Sequence, residues 1–153
     1  MTLLNETRAQ HGLRALALSR ALESAAVSHS RAMLQYGFFA HESSDGSQFA
    51  ARLKRFYSPA GYTYWSAGEN LLYDTGALDA GTAIQAWLAS PEHRRNMLDP
   101  TWREVGIASV YAPSAGGTFG GQPTWVVTMD FGARIGSGTP ASKPTPVRTP
   151  AIR

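Results

Sequence analysis

The sequence predicts an α+β fold in which amphipathic helices cover both faces of an antiparallel β-sheet. Residues 19–35 place apolar side chains at helical spacing, whereas residues 104–111 and 124–131 alternate apolar and polar side chains as strands do. The two strands follow one another in the chain and are expected to pair as an antiparallel hairpin. Val110 and Val126 place apolar side chains on their other faces, so we expect the sheet to be covered on both sides.

Length and composition indicate one soluble globular domain. The chain has 153 residues with 43% hydrophobic residues, which is enough to build a core and excludes an intrinsically disordered protein. No apolar run approaches the roughly 18 residues that a membrane-spanning helix needs, so we expect a protein that does not span a membrane. No export leader precedes Asn5, and we interpret an export signal as absent or removed. The absence of cysteine excludes disulfides and cysteine-based zinc sites.

The basic charge belongs to the C-terminal tail. The net charge is +3, and three of the 14 basic residues, Lys143, Arg148 and Arg153, lie after Ile135. This leaves 11 basic against 11 acidic residues in 1–135, a formally neutral domain, so we expect no nucleic-acid partner. Residues 136–153 are rich in Pro, Ser and Thr and are predicted to be a disordered linker or stalk.

Two helices are predicted in the first 37 residues. The first runs from Leu3 to His11. The second extends from about Ser19 to Gln35, and Gly37 follows as a C-terminal stop. His29 shares the apolar stripe of this helix, and we interpret it as a hydrogen-bonded histidine at the core edge rather than a site residue.

A turn and a third, short helix follow. Ser44-Asp45-Gly46 has turn chemistry. Ser47 is expected to cap a helix in which Phe49, Leu53 and Phe56 face inward at i, i+4 and i+7.

The second half of the chain supplies a buried strand, two more helices and the hairpin. Residues 71–73 are predicted to be a buried strand, with Glu69 at its lip. Residues 78–89 form the next predicted helix, and Ser90 is expected to cap the one after it. The connection 112–123 between the hairpin strands is long, and we expect it to be mobile.

Three polar residues are the candidate site: Glu69 in Gly68-Glu69-Asn70, with His41 and His93 in polar, turn-prone segments on either side. An ionised carboxylate next to a buried strand costs several kcal/mol unless it is paired, so Glu69 needs a cationic or donor partner. The alternative is a carboxylate that ties down backbone amides. His93 falls at the third position of a predicted helix, whose partial positive charge favours neutral imidazole. It could instead bond only to its own helix start.

A series of motifs resembles the CAP superfamily, also called SCP/TAPS (cysteine-rich secretory protein, antigen 5 and pathogenesis-related 1 type), and especially its bacterial, cysteine-free branch. The matching segments span residues 3–132 in the order of the family. They are Leu4-Asn5-Glu6-Thr7-Arg8, Gly12-Leu13, Phe38-Phe39-Ala40-His41, Ser44-Asp45-Gly46, Gly68-Glu69-Asn70, Trp87, Ser90-Pro91-Glu92-His93-Arg94-Arg95-Asn96-Met97-Leu98, Glu104-Val105-Gly106 and Asp130-Phe131-Gly132.

The resemblance implies a three-layer α-β-α sandwich with a central antiparallel sheet over residues 1–135, and an extracellular or cell-envelope location. It also implies a cleft lined by His41, Glu69 and His93. Many eukaryotic members carry a further glutamate three positions after the helix tryptophan, where this chain has Ser90. The possible accessory residues are Asn70, Ser90, Glu92 and Glu104, of which Glu92 or Glu104 could compensate for the missing glutamate.

The favoured interpretation is a monomeric, non-enzymatic module that binds a lipid, a small ligand or a cell-surface partner through this cleft and requires no cofactor. Tyr62, Tyr64 and Trp65 could extend an apolar groove beside it, or could pack in the core. His41 and His93 could bind zinc or another divalent metal, and a metal-dependent peptidase or esterase is the alternative function. A serine hydrolase using Ser43, Ser44 or Ser90 is disfavoured because no Gly-x-Ser-x-Gly elbow is present.

Overall fold

The computed structural model describes residues 1–136. Within this range the helices, strands and a 3₁₀ turn occur in the following order. They are α1 (Thr2–Gln10), β1 (Ala17–Leu18), α2 (Arg20–Tyr36), α3 (Phe49–Phe56), β2 (Tyr64–Asp74), α4 (Ala80–Ala89), α5 (Pro91–Met97), β3 (Glu104–Ala115), the 3₁₀ turn Gly117–Phe119 and β4 (Gln122–Ile135).

The four strands form one sheet in the order β1-β3-β4-β2. The predicted hairpin is confirmed, because β3 pairs antiparallel with β4. β2 pairs antiparallel with the other side of β4 and is therefore an edge strand. The two-residue strand β1 pairs parallel with the start of β3, so only this short edge departs from the predicted antiparallel sheet.

Helices cover both faces of the sheet, as predicted. Val127, Met129 and Phe131 of β4 point to one face, where they pack with buried residues of α1, α4 and α5. The intervening side chains point to the opposite face, where Val126 packs with α2 and the hydroxyl of Thr128 bonds that of Ser30 at 2.8 Å. This alternation confirms the three-layer α-β-α sandwich, and each layer of helices buries its own apolar stripe.

Two helix boundaries follow the sequence signals closely. Helix α2 ends at Gly37, which adopts the left-handed conformation (φ 69°) that glycine accommodates without steric cost. Helix α4 begins at Ala80, two residues later than predicted, because the side chain of Asp79 accepts a hydrogen bond from the backbone N–H of Thr82 and caps the helix there.

The prediction for α3 was wrong in two details. Its N-cap is Gln48 rather than Ser47. Phe56 is 38% exposed, whereas Tyr57 is fully buried. The inner stripe follows Arg52 and Leu53, and the position that continues it is Tyr57, so Phe56 turns outward.

The strands are longer than predicted. Because β2 spans 64–74, Glu69 lies in the middle of a strand rather than at its lip. The prediction of a long connection over 112–123 was also wrong, because β3 continues to Ala115 and β4 starts at Gln122. The short link between them packs on the protein: Phe119 is buried, and the N–H of Thr118 donates to the carbonyl of Gly37 at 2.8 Å. The tail prediction concerns residues almost entirely outside the described range.

Arg8 of α1 is a buried cation that holds the end of α5. Its Nη1 donates to the carbonyl oxygens of Met97 at 2.7 Å and Asp99 at 3.1 Å, and its Nε donates to that of Arg14 at 3.0 Å. The last carbonyls of a helix have no partner within the helix, so the guanidinium satisfies groups that burial would otherwise leave unpaired. Arg8 thereby attaches α5 to α1.

The described helices include none whose length and hydropathy would suffice to cross a membrane.

Gly106 lies where α2 approaches the sheet most closely. A Cβ added there would be 2.1 Å from the backbone N of Glu23 and 2.1 Å from the backbone C of Leu22. Gly106→Ala should therefore force α2 away from the sheet and destabilise the protein by about 3 kcal/mol or more. Urea unfolding measures this change. Gly116→Ala is the matched control, because a Cβ there meets nothing within 4 Å, and equal midpoints for the two variants would contradict the expected contact.

Candidate functional site

The edge strand β2 separates the candidate site into two halves. Along a strand, successive side chains point to opposite faces. Glu69 accordingly meets α3 and the segment that follows α2, whereas Asn70 meets α5. Gly68 leaves room for α5, because an added Cβ would be 2.5 Å from Oδ1 of Asn96. Each residue of Gly68-Glu69-Asn70 therefore has a distinct role in the packing.

Glu69 is buried, and both of its carboxylate oxygens accept hydrogen bonds. Its side chain is 1% exposed, and Oε1 accepts the Nδ1–H of His41 at 2.8 Å. Oε2 accepts a hydrogen bond from Nη2 of Arg52. Nη1 of Arg52 also donates to the backbone carbonyl of His41 at 2.8 Å. The expected need for a cationic partner is confirmed, and the partners are side chains rather than backbone amides.

The contact between His41 and Glu69 favours the charged form of both groups. The hydrogen bond to Glu69 raises the pKa of His41 above its ordinary value. Burial alone would raise the pKa of Glu69, but the hydrogen bond from His41 and the charge of Arg52 outweigh it and lower that pKa. His41 therefore contributes stability below the ordinary pKa of histidine, and this contribution is lost as the pH rises through its raised folded-state pKa.

His93 belongs to the other half of the site and is held through its backbone. Nδ2 of Asn70 donates to the carbonyl of His93 at 3.0 Å, and Nδ2 of Asn96 donates to Oδ1 of Asn70 at 2.9 Å. Partial burial, and secondarily the charge of His41, lowers the pKa of His93. The predicted bias toward neutral imidazole thus has the right direction, but burial is its main cause.

The two halves meet in a polar cleft of about 290 Å³. The structure brings together His41, Glu69 and His93, with Asn70 and Glu92 from the accessory group. The cleft is also lined by three residues that the sequence had not singled out, namely Arg95, Asn96 and Asp99.

Two accessory candidates lie elsewhere. Glu104 accepts a hydrogen bond from the hydroxyl of Tyr57 and lies 3.6 Å from Nη2 of Arg134, so its charge is used in a separate cluster. Ser90 joins α4 to α5 as the N-cap residue, and its carbonyl accepts the N–H of Arg94. Glu104 therefore does not line the cleft and does not take the place of the missing glutamate there, which corrects the expectation that it could compensate.

Arg52 and Asp130 were missed by sequence reasoning. Arg52 lies three residues after Phe49 on the inner stripe of α3, and the need of Glu69 for a cation was the signal that could have identified it. Asp130 is directly opposite Glu69 in the pairing of β2 with β4 and is fully buried. Burial, and secondarily the charge of Glu69, raises the pKa of Asp130 well above its ordinary value.

The arrangement does not fit a preformed zinc site. A zinc site with an open position has three protein ligands. Among residues 1–136, no group of three or more His, Asp and Glu side chains is arranged to hold a metal ion. Both oxygens of Glu69 are bonded to His41 and Arg52, so His41 and His93 are the two ligands that remain of the expected set.

The expected aromatic groove is not part of this cleft. Nε1 of Trp65 donates to the carbonyl of Tyr57 at 2.8 Å, and the guanidinium carbon of Arg134 lies 4.7 Å from the ring centre of Tyr62. Tyr64 is exposed. Trp65 and Tyr62 therefore pack against neighbouring structure. This is the alternative to a groove that the sequence had left open.

Comparison with known proteins agrees with the motifs and the fold. The sequence model of the family described as "CAP: Cysteine-rich secretory protein family" matches residues 1–131. The uncharacterized protein YkwD of Bacillus subtilis is 32% identical over 113 residues, which are 73% of this chain and 41% of YkwD. The chain thus corresponds to about two-fifths of that relative.

Solved structures of bacterial proteins have the same fold. An extracellular protein containing an SCP domain from Bacillus anthracis matches with a TM-score of 0.64 and 28% identity, covering 84% of this chain and 37% of that one. An outer surface protein from Borrelia burgdorferi matches with a TM-score of 0.66 and 18% identity, covering 87% of this chain and 88% of that one, and shows likeness of fold.

Replacing Glu69 tests the coupling between the carboxylate and the imidazole. In Glu69→Gln the pKa of His41 should fall, because the charged partner that raises it is lost. The protein should also lose about 3 kcal/mol of stability, since Arg52 keeps a buried charge without its counter-ion. NMR titration of the imidazole resonances measures the first effect and urea unfolding the second.

Glu92→Gln is the matched control, because Glu92 lines the same cleft but is exposed. It should change the pKa of His41 much less than Glu69→Gln does. An equal fall in both variants would show that the cleft acts on His41 through its general charge rather than through the hydrogen bond.

Proposed function

Because this chain belongs to the cysteine-rich secretory protein (CAP) family, we propose that it is a ligand-binding domain whose cleft holds a polar small ligand without converting it. The absence of cysteine and the bacterial relatives assign it to the cysteine-free bacterial branch. The Bacillus anthracis protein is extracellular, which supports a location outside the cell or in its envelope.

The single observation that carries the proposal is that Glu69 is buried with both carboxylate oxygens already hydrogen-bonded. For Glu69 itself to act as a general base or nucleophile, it would need a free carboxylate oxygen to offer to the reacting group. Glu69 is buried, and both of its oxygens are bonded to His41 and Arg52. Its hydrogen bonds therefore suit it to fixing the orientation of His41 rather than to attacking a substrate.

The groups left on the cleft surface suit a ligand with both donors and acceptors. His41 uses Nδ1 for Glu69, which leaves Nε2 as its other ring nitrogen. His93 favours neutral imidazole, and Arg95 and Glu92 bring opposite charges to the exposed rim. Carbohydrates and the ends of peptides present this mixture of polar groups, and they are the ligand classes that we propose.

A metal-dependent hydrolase remains the competing function for the same cleft. It would need a metal that activates water, held by at least one ligand in addition to His41 and His93. Peptide or ester turnover that depends on added zinc and disappears in His93→Ala would replace the binding proposal with this one.

A second candidate function is the binding of an apolar ligand, and a separate cavity favours it. A cavity of about 330 Å³ lies between α1, α4 and the sheet. Its volume is within the range of about 300–1,000 Å³ that is usual for small-molecule pockets. Its apolar lining includes Leu3, Leu4, Leu78, Ile84, Trp87, Ile107, Val127 and Met129. Asp79 and Ser109 add polar groups, so the cavity suits an aliphatic chain with a polar head.

If a polar ligand binds in the cleft, its affinity should depend on the side chain of His93. Titration of isotopically labelled protein with a panel of oligosaccharides and dipeptides should move the ring resonances of His41 and His93. His93→Ala should weaken the binding of any such ligand by about tenfold or more. His11→Ala is the control, because His11 is exposed and lies outside the cleft lining. Binding that survives unchanged in His93→Ala would place the ligand elsewhere.

The cavity proposal predicts that filling the cavity removes binding of an aliphatic probe. Ser109 is an exposed residue of the lining, so a larger side chain can enter the cavity from the surface without disturbing the core. Ser109→Trp should weaken dodecanoate binding by about tenfold or more in calorimetry. Ser24→Trp, on the exposed side of α2, is the control. Equal affinities in the two variants would sink the assignment of dodecanoate to this cavity.

A further inference from the structure

A buried carboxyl group behind the cleft has no evident partner. Asp130 is 0% exposed, and neither of its carboxyl oxygens has a well-formed hydrogen bond within the described residues, although the carboxyl group of Glu69 lies close enough to bond a protonated Asp130. Its cover is complete because α2 lies directly on Gly106, the residue paired with Asp130 on the β3 side. Water therefore cannot stabilise an ionised form of this side chain from solution.

The groups around Asp130 do not supply enough positive charge for two carboxylates. Glu69 faces it from β2 and Arg52 faces it from α3. From α2, Nε2–H of His29 donates to the carbonyl of Ala40, and burial lowers the pKa of His29, which favours the neutral ring. β3 contributes only Gly106. Arg52 donates its hydrogen bond to Glu69, and its charge acts on Asp130 less than burial and Glu69 do, so Asp130 has no hydrogen-bonded counter-ion among the described residues.

Two carboxyl groups that share a buried site cannot both ionise without a large electrostatic cost, so one of them keeps its proton. Glu69 is hydrogen-bonded to the guanidinium of Arg52 and to the imidazole of His41, and Asp130 has no such partner among the described residues. We propose that Asp130 is a protonated, neutral acid in the folded protein and that it acts as a positioning residue, which leaves Glu69 as the single carboxylate that holds His41 and Arg52. An ionised Asp130 would compete with Glu69 for Arg52 and would repel it.

The charge state proposed for Asp130 does not depend on any ligand. Only the importance of Asp130 for ligand binding, through the charge and orientation of His41, rests on the proposed binding function. All measurements below are made on the protein without ligand, so they can succeed or fail independently of the ligand-binding experiments.

Asp130→Asn is the first test, because asparagine has nearly the shape of a neutral carboxylic acid and no charge. If Asp130 is neutral, this substitution should leave the pKa of His41 unchanged in an NMR titration, whereas Glu69→Gln lowers it. If Asp130 is ionised, the substitution removes a negative charge near Glu69 and His41, and the pKa of His41 falls. A fall comparable with that in Glu69→Gln would overturn the proposal.

The pH profile of stability gives a readout that a purely structural role of Asp130 would not change. A raised folded-state pKa contributes stability that is lost as the pH rises from the ordinary range of aspartate to the raised value. The wild-type protein should show this loss, and Asp130→Asn should lack it while keeping the contributions of His41 and Glu69. Parallel profiles for the two proteins would contradict a neutral Asp130.

A measurement on the unaltered protein covers the case in which Asp130→Asn does not fold. The ¹³C chemical shift of the Asp130 carboxyl carbon distinguishes the acid from the carboxylate directly. At pH 7 it should have the value of a protonated carboxyl group, and the Glu69 carboxyl carbon should have that of a carboxylate. An ionised Asp130 at this pH would refute the proposal.

Discussion

The burial of one carboxylate on an edge strand is the constraint on which the cleft depends. Glu69 cannot leave water as an anion without charged partners, because the uncompensated cost would be several kcal/mol. The partners come from α3 and from the segment after α2, in the form of Arg52 and His41. The same guanidinium also holds the backbone of His41. One electrostatic requirement thus fixes the position of His41 and favours its charged form.

The second histidine is positioned by different forces on the opposite face of the same strand. Asn70 and Asn96 connect α5 to β2 by neutral hydrogen bonds, and Arg8 holds the far end of α5. Since Glu69 and Asn70 are neighbours in a strand whose backbone pairs with β4 throughout, the two halves cannot move apart without breaking the sheet. The geometry of the cleft is therefore a property of the central sheet rather than of its surface segments.

The sequence predicted what depends on local pattern and missed what depends on distant packing. The end of α2 at Gly37 and the pairing of β3 with β4 follow from backbone chemistry and side-chain alternation. The inward orientation of Arg52 could not be read in this way, because only a buried Glu69 from another element makes a charged residue preferable there. The prediction for 112–123 was wrong for a related reason: its small residues resemble a loop, yet the link between the strands packs against Gly37, a distant residue in the sequence.

The acidic groups of the cleft differ in how far they are accessible to a ligand. A hydrolytic site needs an acid or base whose proton can reach the substrate. Here Ser90 stands three positions after Trp87, Glu69 is bonded to Arg52 and His41, and Asp130 lies behind Glu69 without access to solvent. Glu92 and Asp99 also line the cleft, but neither is hydrogen-bonded to a histidine within the described residues. The imidazoles of His41 and His93 line the cleft together with the exposed Glu92 and Arg95, whereas the buried Glu69 acts on His41, whose pKa it raises. This arrangement is the basis of the binding function that we propose.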